Sequence, residues 1–189
     1  MSSTYPTLIR LTREEFRSHV DQLVDLYITA MGYRPAIRAE RITSWEADSA
    51  LPGFVAFAAV DSEGSIIGIA YGFSANLHGW WHRQVYRGVR TRLLLTPRLH
   101  HLMTTYFEVA EIHVEAQYRG LGLGRKLLEA LLSATNHTHA LLSTPEVAGE
   151  NNGAFHLYRA LGFNDLIRQF RFSGDSRYFA ILYRQLPLT

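Results

Sequence analysis

The chain has 189 residues, 47% of them hydrophobic and 19% charged, which is enough length and apolar content for one domain with a substantial core. It contains no cysteine, so disulfides, thiolate metal sites and thiol nucleophiles are excluded, and the expected setting is intracellular and cytoplasmic. The net charge is +2, but no Asp or Glu occurs between Ser65 and Phe107, a span that holds Arg83, Arg87, Arg90, Arg92 and Arg98 and should attract anions.

The start, "MSSTYPT", lacks the basic and apolar regions of a signal segment, and residues 1–6 are expected to form a disordered tail. A short strand follows at 7–12. In "REEFRSHVDQLVDLYITAMGY", Phe16, Val20, Leu23, Tyr27 and Met31 recur at spacings of three or four, which predicts one amphipathic helix. Pro35 can open a second helix, running toward Trp45 and ending before Leu51-Pro52-Gly53. The runs "FVAFAAV" and "SIIGIAYGF" flank the polar turn "DSEG" and predict an antiparallel hairpin over 53–75. The longest apolar run, 51–60, is about half of what a membrane-spanning helix needs, so no membrane partner is expected. Residues 77–105 have no clean period and read as a helical or loop excursion rich in arginine and aromatics.

From Tyr106 onward the order is strand, glycine loop, helix to about Asn136, strand at 140–144, helix "GAFHLYRAL", then two strands separated by "SGDS". Strands alternating with helices predict an α/β fold, and the closing hairpin makes the sheet mixed, with parallel pairing in its middle.

The stretch "VEAQYRGLGLGRKLLEALL", Val114 to Leu132, ends a strand, turns through three glycines and enters a helix striped by Leu123, Leu127, Leu131 and Leu132. Such a turn aims unpaired amides and the positive end of a helix dipole at one spot, a suitable seat for a phosphate or pyrophosphate. Arg119 and Arg125 can add charge. Gly120, Gly122 and Gly124 do not match the dinucleotide fingerprint, which needs glycine where Arg125 stands. The ATP loop fails as well, because Gly124-Arg125-Lys126-Leu127 has no hydroxyl for magnesium. A tight turn that merely permits helix packing stays open from the loop alone.

"RGLGLG", Arg119 to Gly124, resembles the Arg/Gln-x-x-Gly-x-Gly/Ala acyl-CoA signature of the GNAT N-acetyltransferases, at the expected distance after the strand-ending Val114. "NNGAFHLYRALGF" resembles that family's Asn-x-x-Ala-x-x-Leu-Tyr-x-x-x-Gly-Phe segment, with Asn151, Ala154, Leu157, Tyr158, Gly162 and Phe163 in register. The resemblance is strong over 106–172, while the earlier elements agree by order only and 77–105 has no counterpart. It implies a single-domain acyl-CoA N-acyltransferase (GNAT) fold over 7–189, a mixed central sheet flanked by helices, and acetyl-CoA as co-substrate.

By the same resemblance the backbone of Ile112, His113 and Val114 pairs with the pantetheine arm, and the amides of Gly120, Leu121, Gly122, Leu123, Gly124 and Arg125 hold the pyrophosphate. Asn151 bonds the pantetheine, and Tyr158 is the acid that protonates the departing thiolate. For the base, Glu108 is preferred, acting through a water, with Glu111 on the opposite strand face in reserve. The implied reaction is direct acetyl transfer to a primary amine of a small molecule or protein. The bland alternatives are packing roles for Tyr158 and the His113 ring, and a paired or edge-exposed carboxylate for either glutamate.

His100-His101 and His137-x-His139 lack the spaced partners of a metal site, and no metal is expected. The segment 83–98 could be a nucleic-acid surface, a less favoured reading with only five arginines, or a substrate wall whose arginine binds an anionic group on the acceptor. A solvated or homodimer-forming excursion is the plainer option. A non-catalytic acyl-CoA-binding or sensing module is the alternative to an enzyme. Neither the acceptor nor the oligomeric state is written in the motifs.

Overall fold

The computed structural model describes residues 5–188, so residues 1–4 of the expected disordered tail lie outside the described residues. The chain forms two compact units, Met1–Phe73 with Val109–Thr135, and Ser74–Glu108 with Asn136–Thr189. Its seven strands make one mixed sheet: β1 (Thr7–Leu11), β2 (Val55–Val60), β3 (Ile66–Ser74), β4 (Phe107–Val114), β5 (His139–Pro145), β6 (Asn164–Phe170) and β7 (Phe179–Gln185). Strand β4 is common to both units, and the α/β order expected from the sequence is the order found.

In the first unit the strands run β1-β2-β3-β4. Strand β2 pairs antiparallel with β1 (Leu11↔Ala56) and with β3 (Phe57↔Ala70), so 53–75 is a hairpin. Helix α1 (Arg13–Ser18) opens with a reciprocal cap: Thr12 accepts from the Glu15 amide, and the Glu15 carboxylate accepts from the Thr12 amide. The single helix expected over 13–33 is instead two, α1 and α2 (Val20–Met31). At His19 (φ −107°, ψ 6°) the His19 ring lies 2.8 Å from the Glu15 carbonyl, on which the Ser18 hydroxyl also donates. These side chains compete for a carbonyl the helix needs, and the axis breaks there. Helix α3 (Arg38–Ser49) follows a 3-10 turn at Pro35–Ile37 and is tied to α2 through Arg38, which pairs with Asp21 and Asp25. The core beneath is aromatic: Phe16 meets Trp45, Phe54 and Tyr71 at ring separations of 6.2, 5.0 and 5.1 Å. Helix α6 (Leu123–Ser133) adds its buried stripe of Leu123, Leu127, Leu128, Leu131 and Leu132.

In the second unit the order is β4-β5-β7-β6. Strand β4 pairs with β5 in parallel at Phe107↔Ala140 and Glu108↔Leu141, while β5 pairs antiparallel with β7 from His139↔Gln185 to Pro145↔Phe179. The closing hairpin is β6-β7. The excursion at 77–105 is two helices, α4 (Trp80–Arg92) and α5 (Pro97–Thr105), which sit over a core containing Val85, Val89, Met103, Tyr106, Ile167 and Phe170. Helix α4 comes close enough to β6 that a Cβ on Gly88 would lie 2.5 Å from the Phe170 ring. Helix α7 (Gly153–Ala160) completes the unit.

Candidate active site

The glycine loop belongs to the first unit. Strand β4 ends at Val114, a 3-10 turn covers Ala116–Tyr118, and the chain turns through Gly120 and Gly122 with φ of +80° and +75° before α6 begins at Leu123. L-residues avoid this left-handed region, which accounts for glycine at both places. A Cβ built on either glycine would meet nothing within 4 Å, so close packing does not demand them. Glycine is required here by the left-handed backbone rather than by crowding, and the turn faces open space. Gly122 is the N-cap and has no side chain to offer; the Lys126 amide is the first to return to it, 3.0 Å from the Gly122 carbonyl. The amides of Leu123, Gly124 and Arg125 are those that a helix's first turn leaves for an outside acceptor.

The loop's arginines have structural partners. Arg119 donates from Nε to the Val114 carbonyl (3.1 Å) and from Nη2 to the Ala30 carbonyl (3.2 Å), bracing the turn against the end of β4 and the last turn of α2. Arg125 pairs with Glu129 one turn on, Nε to Oε1 at 2.8 Å. A cleft of about 420 Å³ opens beside the loop, its lining including Asp61, Tyr118, Leu121, Leu123 and Lys126. Tyr118 donates to Asp61 at 3.3 Å.

On β4 the two glutamates have different surroundings. Glu108 is buried and belongs to the second unit, where its charge and burial together hold the Tyr106 hydroxyl well above its ordinary pKa, burial being the larger cause. Glu111 belongs to the first unit and shares a 2.6 Å hydrogen bond with His113 Nε2. The nearly buried His113 ring also packs edge-on against Tyr27 at 5.0 Å, so it holds a carboxylate as well as filling space. Glu111 acts electrostatically on a half-buried Asp48, whose carboxyl is pushed up to about 6 chiefly by burial, opposed by the Tyr71 hydroxyl that donates to it at 3.0 Å. Sequence reasoning missed Asp48 and Tyr71, which come from separate elements and carry no local pattern.

In the second unit Asn151 and Tyr158 flank the start and middle of α7. Asn152, the N-cap, accepts from the Phe155 amide at 2.8 Å. That leaves Asn151, exposed and just outside the helix, with no side-chain hydrogen bond among the described residues. Its loop is pinned by an ion network that the sequence reading also missed. Glu150, in the left-handed region at φ +57°, binds Arg159 in a two-pronged pair (2.9 and 2.6 Å) and Arg168 at 2.7 Å, while Arg168 also holds Glu146 at 2.9 Å. The Arg159 hydrogen bond, chief among these contacts, pulls the Glu150 carboxyl down to about 2.

The Tyr-x-x-x-Gly-Phe spacing has a physical reason. Leu161 is the C-cap of α7, Gly162 follows at φ +74°, and the Phe163 amide reaches back 3.0 Å to the Tyr158 carbonyl while the Gly162 amide reaches Arg159. This is the Schellman closure, with its hydrophobic contact supplied by Phe163 against Tyr158 at 5.8 Å, edge to face. The buried tyrosine is thus set by the helix end that the motif encodes.

The aromatics of α4 are engaged in packing. His82 stacks between Tyr86 (5.6 Å) and Tyr106 (6.0 Å), and Trp80 lies on Phe172. Trp81 donates its indole N–H to Ser143. Among the described residues no group of three His, Asp or Glu side chains is placed to hold a metal ion, and no helix is long and apolar enough to cross a membrane.

Comparison with known proteins agrees with this architecture. The family model "Acetyltransferase (GNAT) family" matches residues 13–163. The GCN5-like protein acetyltransferase Rv2170 of Mycobacterium tuberculosis is 35% identical over 202 residues, covering 96% of this chain and 98% of that protein. Two solved structures share the fold at low identity. A phosphinothricin acetyltransferase of Sinorhizobium meliloti, solved in complex with acetyl-CoA, has a TM-score of 0.61 at 20% identity, covering 98% of this chain and 89% of the other. The ribosomal-protein-S18-alanine N-acetyltransferase of Escherichia coli has 0.62 at 15%, covering 98% and 96%. With a family match over most of its length and a relative aligned nearly end to end, the chain belongs to the GNAT acetyltransferase family.

Proposed function

We propose that the chain is an N-acetyltransferase that carries an acetyl group from acetyl-CoA directly to a primary amine of a protein. The observation that carries this reading is the glycine loop: two left-handed glycines facing open space at the start of a leucine-striped helix. Backbone donors in that arrangement suit a diphosphate, and a relative 35% identical is itself named a protein acetyltransferase.

The coenzyme supplies an activated thioester; the chain supplies position and protons. The amides of Gly120 through Arg125 hold the diphosphate, the backbone of Ile112, His113 and Val114 pairs with the pantetheine arm as an added strand would, and Asn151, with its amide uncommitted, bonds the same arm. The neutral amine attacks the thioester carbonyl carbon, the carbon–sulfur bond breaks, and the thiolate takes its proton from the Tyr158 hydroxyl. Glu108 accepts the proton lost by the amine, through a water. Glu111 is the reserve, and its hydrogen bond to His113 suits it better to fixing the strand than to shuttling protons.

The test is thiol release with acetyl-CoA and a lysine-containing peptide. Tyr158→Phe lowers kcat by about two orders of magnitude or more, while acetyl-CoA affinity measured by calorimetry is retained. An unchanged kcat in that variant removes the acid from Tyr158, and no transfer by the wild type to any amine returns the chain to the non-catalytic alternative.

A further inference from the structure

Residues 77–105 find no role in the reaction above, and helix α4 within them is unusual in its charge. Its inward side is Val85, Gly88 and Val89. A cleft of about 630 Å³ beside the helix is lined by Arg83, Arg87 and Arg90 with Leu77, Tyr86, Thr91 and the buried His82. Three guanidinium groups repel one another on a single helix face unless something offsets them.

Among the described residues of this unit no ion pair offsets them, and Glu108, its one acid before residue 136, is buried in β4. The unit's C-terminal segment, residues 136–189, contains four acids, Glu146, Glu150, Asp165 and Asp175. All four are paired with arginines of that same segment, Arg159, Arg168 and Arg177. Among the described residues Arg83, Arg87 and Arg90 have no ion pair. Their contacts are to neutral groups: Arg83 Nη1 donates to the His78 carbonyl at 2.6 Å, and Arg87 Nη2 to Gln84 Oε1 at 3.1 Å and Ser173 Oγ at 3.4 Å. Neutral acceptors orient a guanidinium without cancelling its charge. The His82 ring, whose pKa burial lowers, adds no charge at neutral pH.

We propose that this face of α4 is a docking site for an acidic segment of the protein that is acetylated, an inference that rests on the protein acceptor of the preceding section. Along the helix Arg83 and Arg87 are about 6 Å apart and Arg87 and Arg90 about 4.5 Å. Side chains on one face of an extended peptide recur about every 6.6 Å, so carboxylates at alternate positions meet successive arginines, with the flexible stems taking up the difference. Leu77 and Tyr86 give the cleft apolar surface for the segment's backbone and methylenes. Nucleic acid is the weaker fit, because base recognition on such a surface uses aromatic platforms, whereas Tyr86 is stacked on His82 with its hydroxyl 3.1 Å from His100.

The experiment measures binding apart from catalysis. A labelled short peptide alternating Glu with Ala around one Lys, its Gln-for-Glu counterpart, and a single-stranded oligonucleotide of equal charge are titrated by fluorescence anisotropy into wild type, Arg87→Gln/Arg90→Gln and Arg90→Glu. Circular dichroism and acetyl-CoA calorimetry check folding, and the single Arg90→Glu variant, at a position with no hydrogen bond among the described residues, guards against a misfolded double variant. The wild type is expected to prefer the acidic peptide, and the double variant to bring the acidic-to-neutral affinity ratio toward one, a loss of roughly tenfold. Equal binding of the two peptides, an unaltered ratio in both variants, or tighter binding of the oligonucleotide overturns the proposal. Selective peptide binding without acetyl transfer upholds the docking face and counts against the acetyltransferase reading alone.

Discussion

The anion sites proposed at the glycine loop and at helix α4 would work by opposite means. In the loop the arginines are engaged, Arg119 by the carbonyls of Val114 and Ala30 and Arg125 by Glu129, and the attraction falls to main-chain amides held by two left-handed glycines. In α4 the main chain is closed into its helix, and the attraction comes from side chains that the surrounding acids leave uncompensated. Amides fixed in a turn recognise one shape at one distance. Guanidinium groups on flexible stems accept many shapes. The first arrangement suits a constant cosubstrate, the second a variable sequence on a partner.

The largest effect expected of that contrast is at Gly122. Gly122→Glu forces a side chain into φ +75°, at a conformational cost of about 1–2 kcal/mol, and places negative charge before the amides. Acetyl-CoA affinity by calorimetry should fall by about two orders of magnitude, the worth of two lost charged hydrogen bonds. Gly174→Ala, at φ +86° and also facing open space, carries the same backbone strain and should leave that affinity alone. Equal losses in the two variants would reduce the loop to a matter of strain.

Salt separates the regions next. Raising it from about 50 to about 200 mM should weaken the acidic peptide on α4 by about tenfold and acetyl-CoA by no more than about threefold, since exposed charge pairs are screened more than fixed short contacts. Arg119→Met comes third. Loss of its two carbonyl contacts should lower stability in urea by about 1 kcal/mol, with acetyl-CoA affinity changed far less than by Gly122→Glu. If affinity fell as far with stability untouched, Arg119 would be a phosphate ligand and the contrast would break. The smallest change is Arg125→Gln, which removes a surface i,i+4 pair worth about 0.3–0.5 kcal/mol and should shift acetyl-CoA affinity by less than about twofold.

How far the sequence discloses these two regions follows from how local their determinants are. The loop was legible because strand, glycines and leucine stripe lie within twenty neighbouring residues and leave a periodic trace. The hairpin at 53–75 was legible for the same reason. Helix α4 was obscure because its buried face has only two apolar side chains, Val85 and Val89, beside His82 and Gly88, and Gly88 stands where Phe170 of the partner strand approaches the helix. The break at His19 was hidden because Phe16, Val20 and Leu23 keep their spacing across it while the Ser18 hydroxyl and His19 ring crowd the Glu15 carbonyl that the His19 amide also reaches. At α7 the motif was visible but its reason was not: that Gly162 and Phe163 close the helix over Tyr158 depends on main-chain hydrogen bonds. The network of Glu146, Glu150, Arg159 and Arg168 joins residues up to twenty-two positions apart and has no one-dimensional signature.

Amide NMR of uniformly labelled protein during titration with coenzyme A reaches the main-chain donors themselves. Saturating coenzyme should move the amide resonances of Gly120 through Arg125 more than those of the rest of α6, and Gly122→Glu should abolish those shifts. Tight binding that leaves these amides where they were would contradict the assignment of the diphosphate to this turn.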